Sequence, residues 1–104
     1  MFLLEWLGLG ARTRAYLIAR GHVYEGGFNL HVERVARMKG LKGWMKVTQL
    51  PMSSYIEIEV EGLKSVIDKY LIILRQGTPG SKITDIQLEW RLYENRFQDF
   101  RLRI

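Results

Sequence analysis

The sequence predicts an α+β domain in which two helices pack on one face of a mixed sheet. Three observations carry that expectation. Several stretches alternate apolar and polar residues with the period of a strand. Two stretches instead repeat apolar residues at helical spacing. Glycine or proline falls at most of the junctions between them. In chain order the elements read β-α-β-β-α-β with a trailing strand. Two amphipathic helices can both bury their stripes against one face of such a sheet, which is the split βαβ, or ferredoxin-like, arrangement.

The first strand is expected over residues 12–20. Ala15, Leu17 and Ala19 fall on one face, and Tyr16 and Ile18 on the other. Apolar residues on both faces suggest a central strand. Residues 21–27 hold three glycines and read as a loop. Residues 28–39 switch to helical spacing, with Phe28, Val32, Val35 and Ala36 on one side. Phe28 or Asn29 should open this helix and Gly40 should end it. Residues 41–49 read as a second strand, and Pro51 with two serines marks the turn after it. Residues 55–61 alternate cleanly: Ile56, Ile58 and Val60 point inward, while Glu57, Glu59 and Glu61 point outward. Gly62 should separate that strand from a helix over residues 63–75. Its buried stripe is Leu63, Val66, Ile67, Tyr70, Leu71 and Leu74. A loop with Gly77, Pro79 and Gly80 leads to a strand over residues 82–90. A last strand is expected over residues 97–104.

At 104 residues the chain is one domain. It has no cysteine, which excludes disulfides and thiolate metal sites and fits a reducing cytoplasm. His22 and His31 lack the further ligands a structural zinc needs. His22 reads as a loop histidine and His31 as an exposed helix residue. No metal and no cofactor are therefore expected. No apolar run approaches the roughly 20 residues that span a bilayer.

The formal charge of +5 permits an anionic partner without choosing one. Arg34, Arg37, Lys39, Lys42 and Lys46 form one basic run, and Arg91, Arg96, Arg101 and Arg103 enrich the end. Their plainest reading is a solvated surface. A nucleic-acid surface is the alternative, although no pair of RNP motifs is present. Residues 1–11 form an apolar extension with Phe2, Leu3, Leu4, Trp6, Leu7 and Leu9, which would be costly to expose together. They should cover the sheet's open face or pair with a second subunit. An edge strand offers another route to a homodimer.

The loop from Gly21 to the first helix carries the most chemistry. Successive backbone N–H groups there, with those of the helix's first turn, can converge on an anion. The spacing is not a P-loop, because no Gly-Lys-Ser/Thr closes it.

Residues 12–104 resemble the acylphosphatase family. That family has a Val-Gln-Gly-Val-Gly-Phe-Arg loop after its first strand, where this chain has Val23-Tyr24-Glu25-Gly26-Gly27-Phe28-Asn29. A helical alanine follows at Ala36, then Gly40-Leu41-Lys42-Gly43-Trp44-Met45. Glu61-Gly62, Gly77-Thr78-Pro79 and Phe97-Gln98-Asp99-Phe100 continue the family's landmarks in order. The resemblance implies hydrolysis of acyl phosphates to a carboxylate and phosphate, without metal or cofactor. It also implies that loop amides and one arginine hold the phosphate, and that an asparagine on the next strand orients the attacking water.

Both of those side chains are replaced. Asn29 stands at the arginine position, shorter and uncharged, and should serve as a helix cap. Loss of such a charge should cost about 3 kcal/mol of transition-state stabilisation. The asparagine position falls on Val47 by direct count from Trp44, or on Gln49 if Gln49-Leu50-Pro51 matches the family's Asn-Leu-Pro. Glu25 takes a glycine position and lowers the local positive potential, and Gly26 replaces a valine. Arg20, near the end of the first strand, is the one candidate for a substitute cation. These replacements predict a disabled or weakened site that retains anion binding or serves as an interaction module, with a working acylphosphatase as the opposed reading.

Overall fold

A computed structural model describes residues 10–23 and 27–103. The elements follow the expected order: β1 (Arg12–His22), α1 (Phe28–Met38), β2 (Lys42–Thr48), β3 (Tyr55–Leu63), α2 (Lys64–Gln76), β4 (Lys82–Arg91) and β5 (Phe100–Arg103). They form one five-stranded sheet in the order β4-β1-β3-β2-β5. Neighbours are antiparallel except β2 and β5, which run parallel. β3 thus lies between β1 and β2, and β1 between β3 and β4, which is the split βαβ pattern that the element order predicts.

Both helices cover one face. α1 lies over β2 and β5, and α2 over β1, β3 and β4. The core between them is apolar: Leu17, Ala19, Ile56, Ile58 and Val60 from the sheet meet Phe28, Val32, Ile67 and Leu74 from the helices, all fully buried. One polar group crosses this layer. The Tyr70 hydroxyl of α2 donates to the Val32 carbonyl of α1 at 2.9 Å, and burial pushes its phenol well above the usual tyrosine range. α1 ends as Gly40 predicts: its N–H reaches the Arg37 carbonyl, and the Leu41 N–H reaches that of Ala36. Among the described residues no helix is long and apolar enough to cross a membrane.

Three expectations are corrected. Gly62 lies inside β3, not after it, because the ladder to β1 continues through Gly62 opposite Thr13; the missing Cβ leaves room for the tip of Leu41, which lies 2.7 Å from where one would fall. The strand expected from residue 97 begins at Phe100, because the preceding residues cross the sheet's open face. Glu59 and Glu61 alternate with the core as expected, yet they are 4% and 3% exposed and so do not face solvent. Glu59 is taken up by Trp44, Arg14 and Arg91 of the other strands, and Glu61 by backbone N–H groups of the residues after β4, which fold back over it.

Residues 1–9, with their proposed covering role, lie outside the described residues. Ala11, read as the end of that extension, is already fastened to the domain: its carbonyl accepts the Lys64 N–H at 2.9 Å.

Candidate functional site

Strand pairing gathers the site residues at one end of the sheet. The end of β1 meets the start of β3 at Arg20 and Tyr55, and the start of β4 at His22 and Lys82. The end of β2 joins them through Thr48 and Tyr55. β1 shifts register between Arg20 and Gly21. Gly21 has φ +136°, and a Cβ there would lie 2.1 Å from the Lys82 carbonyl oxygen. Only glycine lets β4 approach so closely while β1 turns into its loop.

Both ends of that loop are pinned. Val23 and Phe28 are fully buried in the core. Between them, Tyr24, Glu25 and Gly26 lie outside the described residues. Gly27, at φ 69° and ψ 27°, is the N-cap of α1.

Asn29 is therefore not the cap. It is the second residue of α1, exposed, and among the described residues its side chain caps nothing. The left-handed glycine already sets the entry, and its carbonyl accepts the His31 N–H at 2.9 Å. The N–H groups of Phe28, Asn29 and Leu30 consequently have no intrahelical acceptor. The first turn carries no acidic residue. The helix's partial positive charge lies at this end.

Val47 pairs with Ile56 and packs against the core from the helix-covered face. Gln49 lies one residue beyond β2 and is exposed. Arg20 sits on the opposite face. Its guanidinium lies 5.7 Å from the Tyr55 ring, donates to Gln87 at 2.8 Å and approaches Asp85 at 3.8 Å. The alternation that buries Ala19 under the helices turns Arg20 away from them.

The two histidines differ from each other. His22 is exposed at the end of β1. Together with Pro79, Gly80, Ser81 and Lys82 it lines a shallow depression of about 350 Å³. Nothing in the sequence singles out Lys82; only its pairing with His22 brings its charge to this end. His31, expected to be exposed, is half-buried with its ring 6.3 Å from that of Phe28. Its Nε2 is buried and has no hydrogen-bond partner among the described residues. Among the described residues no cluster of three metal-binding side chains occurs.

The chain is similar to known proteins over nearly its whole length. The family model described as acylphosphatase matches residues 15–102. A protein named acylphosphatase from Bacillus pumilus is 34% identical over 88 residues, covering 85% of this chain and 94% of the relative. One from Pyrobaculum arsenaticum is 32% identical over 90 residues, covering 86% and 93%. The crystal structure of acylphosphatase from Bacillus subtilis superposes with a TM-score of 0.78 at 25% identity, covering 88% of this chain and 99% of that one.

Proposed function

Because the chain belongs to the acylphosphatase family, we propose that it keeps the family's anion-binding loop on an intact scaffold while its hydrolytic centre is weakened. The observation that carries this reading is Asn29: the side chain at the opening of α1 is a short, exposed, neutral amide where the family places a guanidinium. An acyl phosphate held there would meet the backbone N–H groups of Phe28, Asn29 and Leu30, which have no acceptor within the helix, and the helix's partial positive charge. It would meet no fixed full charge from position 29. Asparagine offers one donor group to a phosphate that an arginine would grip with a rigid charged fork.

The water-orienting position is weakened too. By direct count from Trp44 that position falls on Val47, inside the β2–β3 ladder that runs from Lys42 to Thr48. Its side chain has no donor or acceptor to hold a water. Arg20 does not restore the missing charge while it stays on the other face with Gln87 and Asp85. The residual function is then binding of phosphate or acyl phosphate, with slow turnover from the loop amides alone.

Phosphate release from benzoyl phosphate tests this, comparing the native chain with Asn29→Arg, Val47→Asn and the double variant. The double variant should exceed the native rate by about a hundredfold or more. Inorganic phosphate should shift the amide resonances of Phe28, Asn29 and Leu30 in the native chain. Robust native turnover, lost in Gln49→Ala or Arg20→Gln, would overturn the reading and restore a working enzyme.

A further inference from the structure

The sheet face turned away from the helices carries a continuous row of side chains with no part in that chemistry. At one edge, the Arg103 guanidinium of β5 lies 4.4 Å from the Trp44 ring of β2. Trp44 and Tyr16 of β1 approach with ring centroids 6.4 Å apart at 52°. At the far end, the Arg91 guanidinium of β4 lies 4.5 Å from the Tyr16 ring. Glu59 of β3 anchors the row from below. It accepts from Trp44 Nε1 at 3.0 Å, Arg14 at 2.6 Å and Arg91 at 3.0 Å. Tyr16 donates to Glu57 at 2.6 Å. Burial and then this carboxylate push its phenol up to about 12. The two rings form a fixed, neutral aromatic platform.

The platform is open at the β5 end. Trp44, Arg96, Gln98, Arg101 and Arg103 line a groove of about 370 Å³ there. Positive charge is concentrated on this side. Among the described residues, Lys46 and Arg103 form no ion pair, and the pairs of Arg101 with Asp99 and Arg96 with Glu94 are exposed. An exposed pair exchanges readily for a phosphate. The opposite edge instead presents Asp85 and Glu89 on the same face.

A simple polyanion would use the cations and ignore the indole. An apolar ligand would avoid the cations. A strand with unpaired bases uses both, since every base has a flat π face and every link a phosphate. The Arg103 guanidinium already occupies such a stacking place on Trp44, held by no acid among the described residues. We propose that this groove binds a single-stranded nucleic acid, with one base replacing the Arg103 guanidinium on Trp44 and phosphates held by Arg103 and Arg101 in the groove and by Lys46, in register with Arg103, beside it.

The test titrates the full chain with a fluorescein-labelled oligouridylate of about 12 nucleotides, following anisotropy and the Trp44 indole N–H resonance. Binding should saturate, weaken with salt and shift that resonance. Lys46→Gln with Arg103→Gln, which set no new carboxylate beside Glu57, should weaken it about tenfold or more with the thermal melt little changed. Loss of two phosphate contacts should flatten the slope of log affinity against log salt by about 1.4. Three outcomes would overturn the proposal: no binding at low salt, equal competition by inorganic polyphosphate with Trp44 unshifted, or binding indifferent to the double variant.

Discussion

Ile58 and Glu59 are neighbours in β3, and both are withdrawn from water, but by different physics. Ile58 faces the helices and is fully buried among Leu17, Met45 and the stripes of α1 and α2. Removal of its apolar surface from water stabilises the fold by about 2–3 kcal/mol and needs no particular partner. Glu59 faces the other way and is 4% exposed. A carboxylate reaches that state only if its oxygens are satisfied. Burial pushes its pKa up, but the donors Trp44, Arg14 and Arg91 outweigh that and hold it below the usual carboxylate range. The chain after β4 is fastened by the same means. Glu61 accepts the backbone N–H groups of Glu94 at 2.8 Å and Arg96 at 2.6 Å, and the Leu92 carbonyl accepts from Arg14 at 3.0 Å. One face of the sheet is closed by transfer of apolar surface, the other by pairing. Sensitivity to pH and to loss of a single partner therefore belongs to the second.

The largest expected effect breaks both faces at once. Gly43 has φ +154°, and a Cβ there would lie 1.8 Å from the Glu59 carbonyl oxygen. Gly43→Ala must push β2 off β3 and should cost about 4 kcal/mol, read from the urea midpoint. Glu59→Ala should come next, at about 3–4 kcal/mol at neutral pH, because it takes from the buried Arg14 its closest carboxylate and leaves the Trp44 N–H without its acceptor. Its signature is a pH dependence. A depressed carboxylate stabilises the fold above its unfolded value of about 4.3 and loses that stabilisation as pH falls through the folded value. The difference between native and Glu59→Ala should thus shrink in acid. Ile58→Ala should cost about 3 kcal/mol with no such shrinkage, and parallel curves for the two variants would remove the distinction between the faces. The smallest effect belongs to Asn29→Ala, within about 0.5 kcal/mol by thermal melt. A loss near 1 kcal/mol would mean that Asn29 caps α1 after all.

The candidate site was legible as residue types and only partly as positions. Val23, Phe28 and Asn29 can be placed around a strand–loop–helix junction from their order alone, and the resemblance to the family's landmarks singles out Asn29 and either Val47 or Gln49 as the positions to test. What Asn29 does there was not legible. Its capping propensity is real, but Gly27 in the left-handed conformation takes the cap position first. Arg20 and Val47 each obey strand parity, yet parity names a face only once the partner strands are known. β3 supplies that reference, turning Val47 toward the core and Arg20 toward Gln87.

Local periodicity by itself determined the element order, the two helical stripes and the inward set Leu17, Ile56, Ile58 and Val60, because each depends on spacing within a few residues. Tertiary structure alone decided the fate of the outward set. Whether Glu59 meets water or arginine depends on Arg14 and Arg91, brought to it by strands far away in the chain, and Glu61 is satisfied by backbone N–H groups of the segment that folds back over the sheet. It also decided that Arg103, Trp44, Tyr16 and Arg91 form one row, since they come from four strands that only the sheet's order brings together. Apolar burial can be read from a pattern because it asks only for the absence of water. Charge pairing cannot, because it asks for a specific partner at a specific distance.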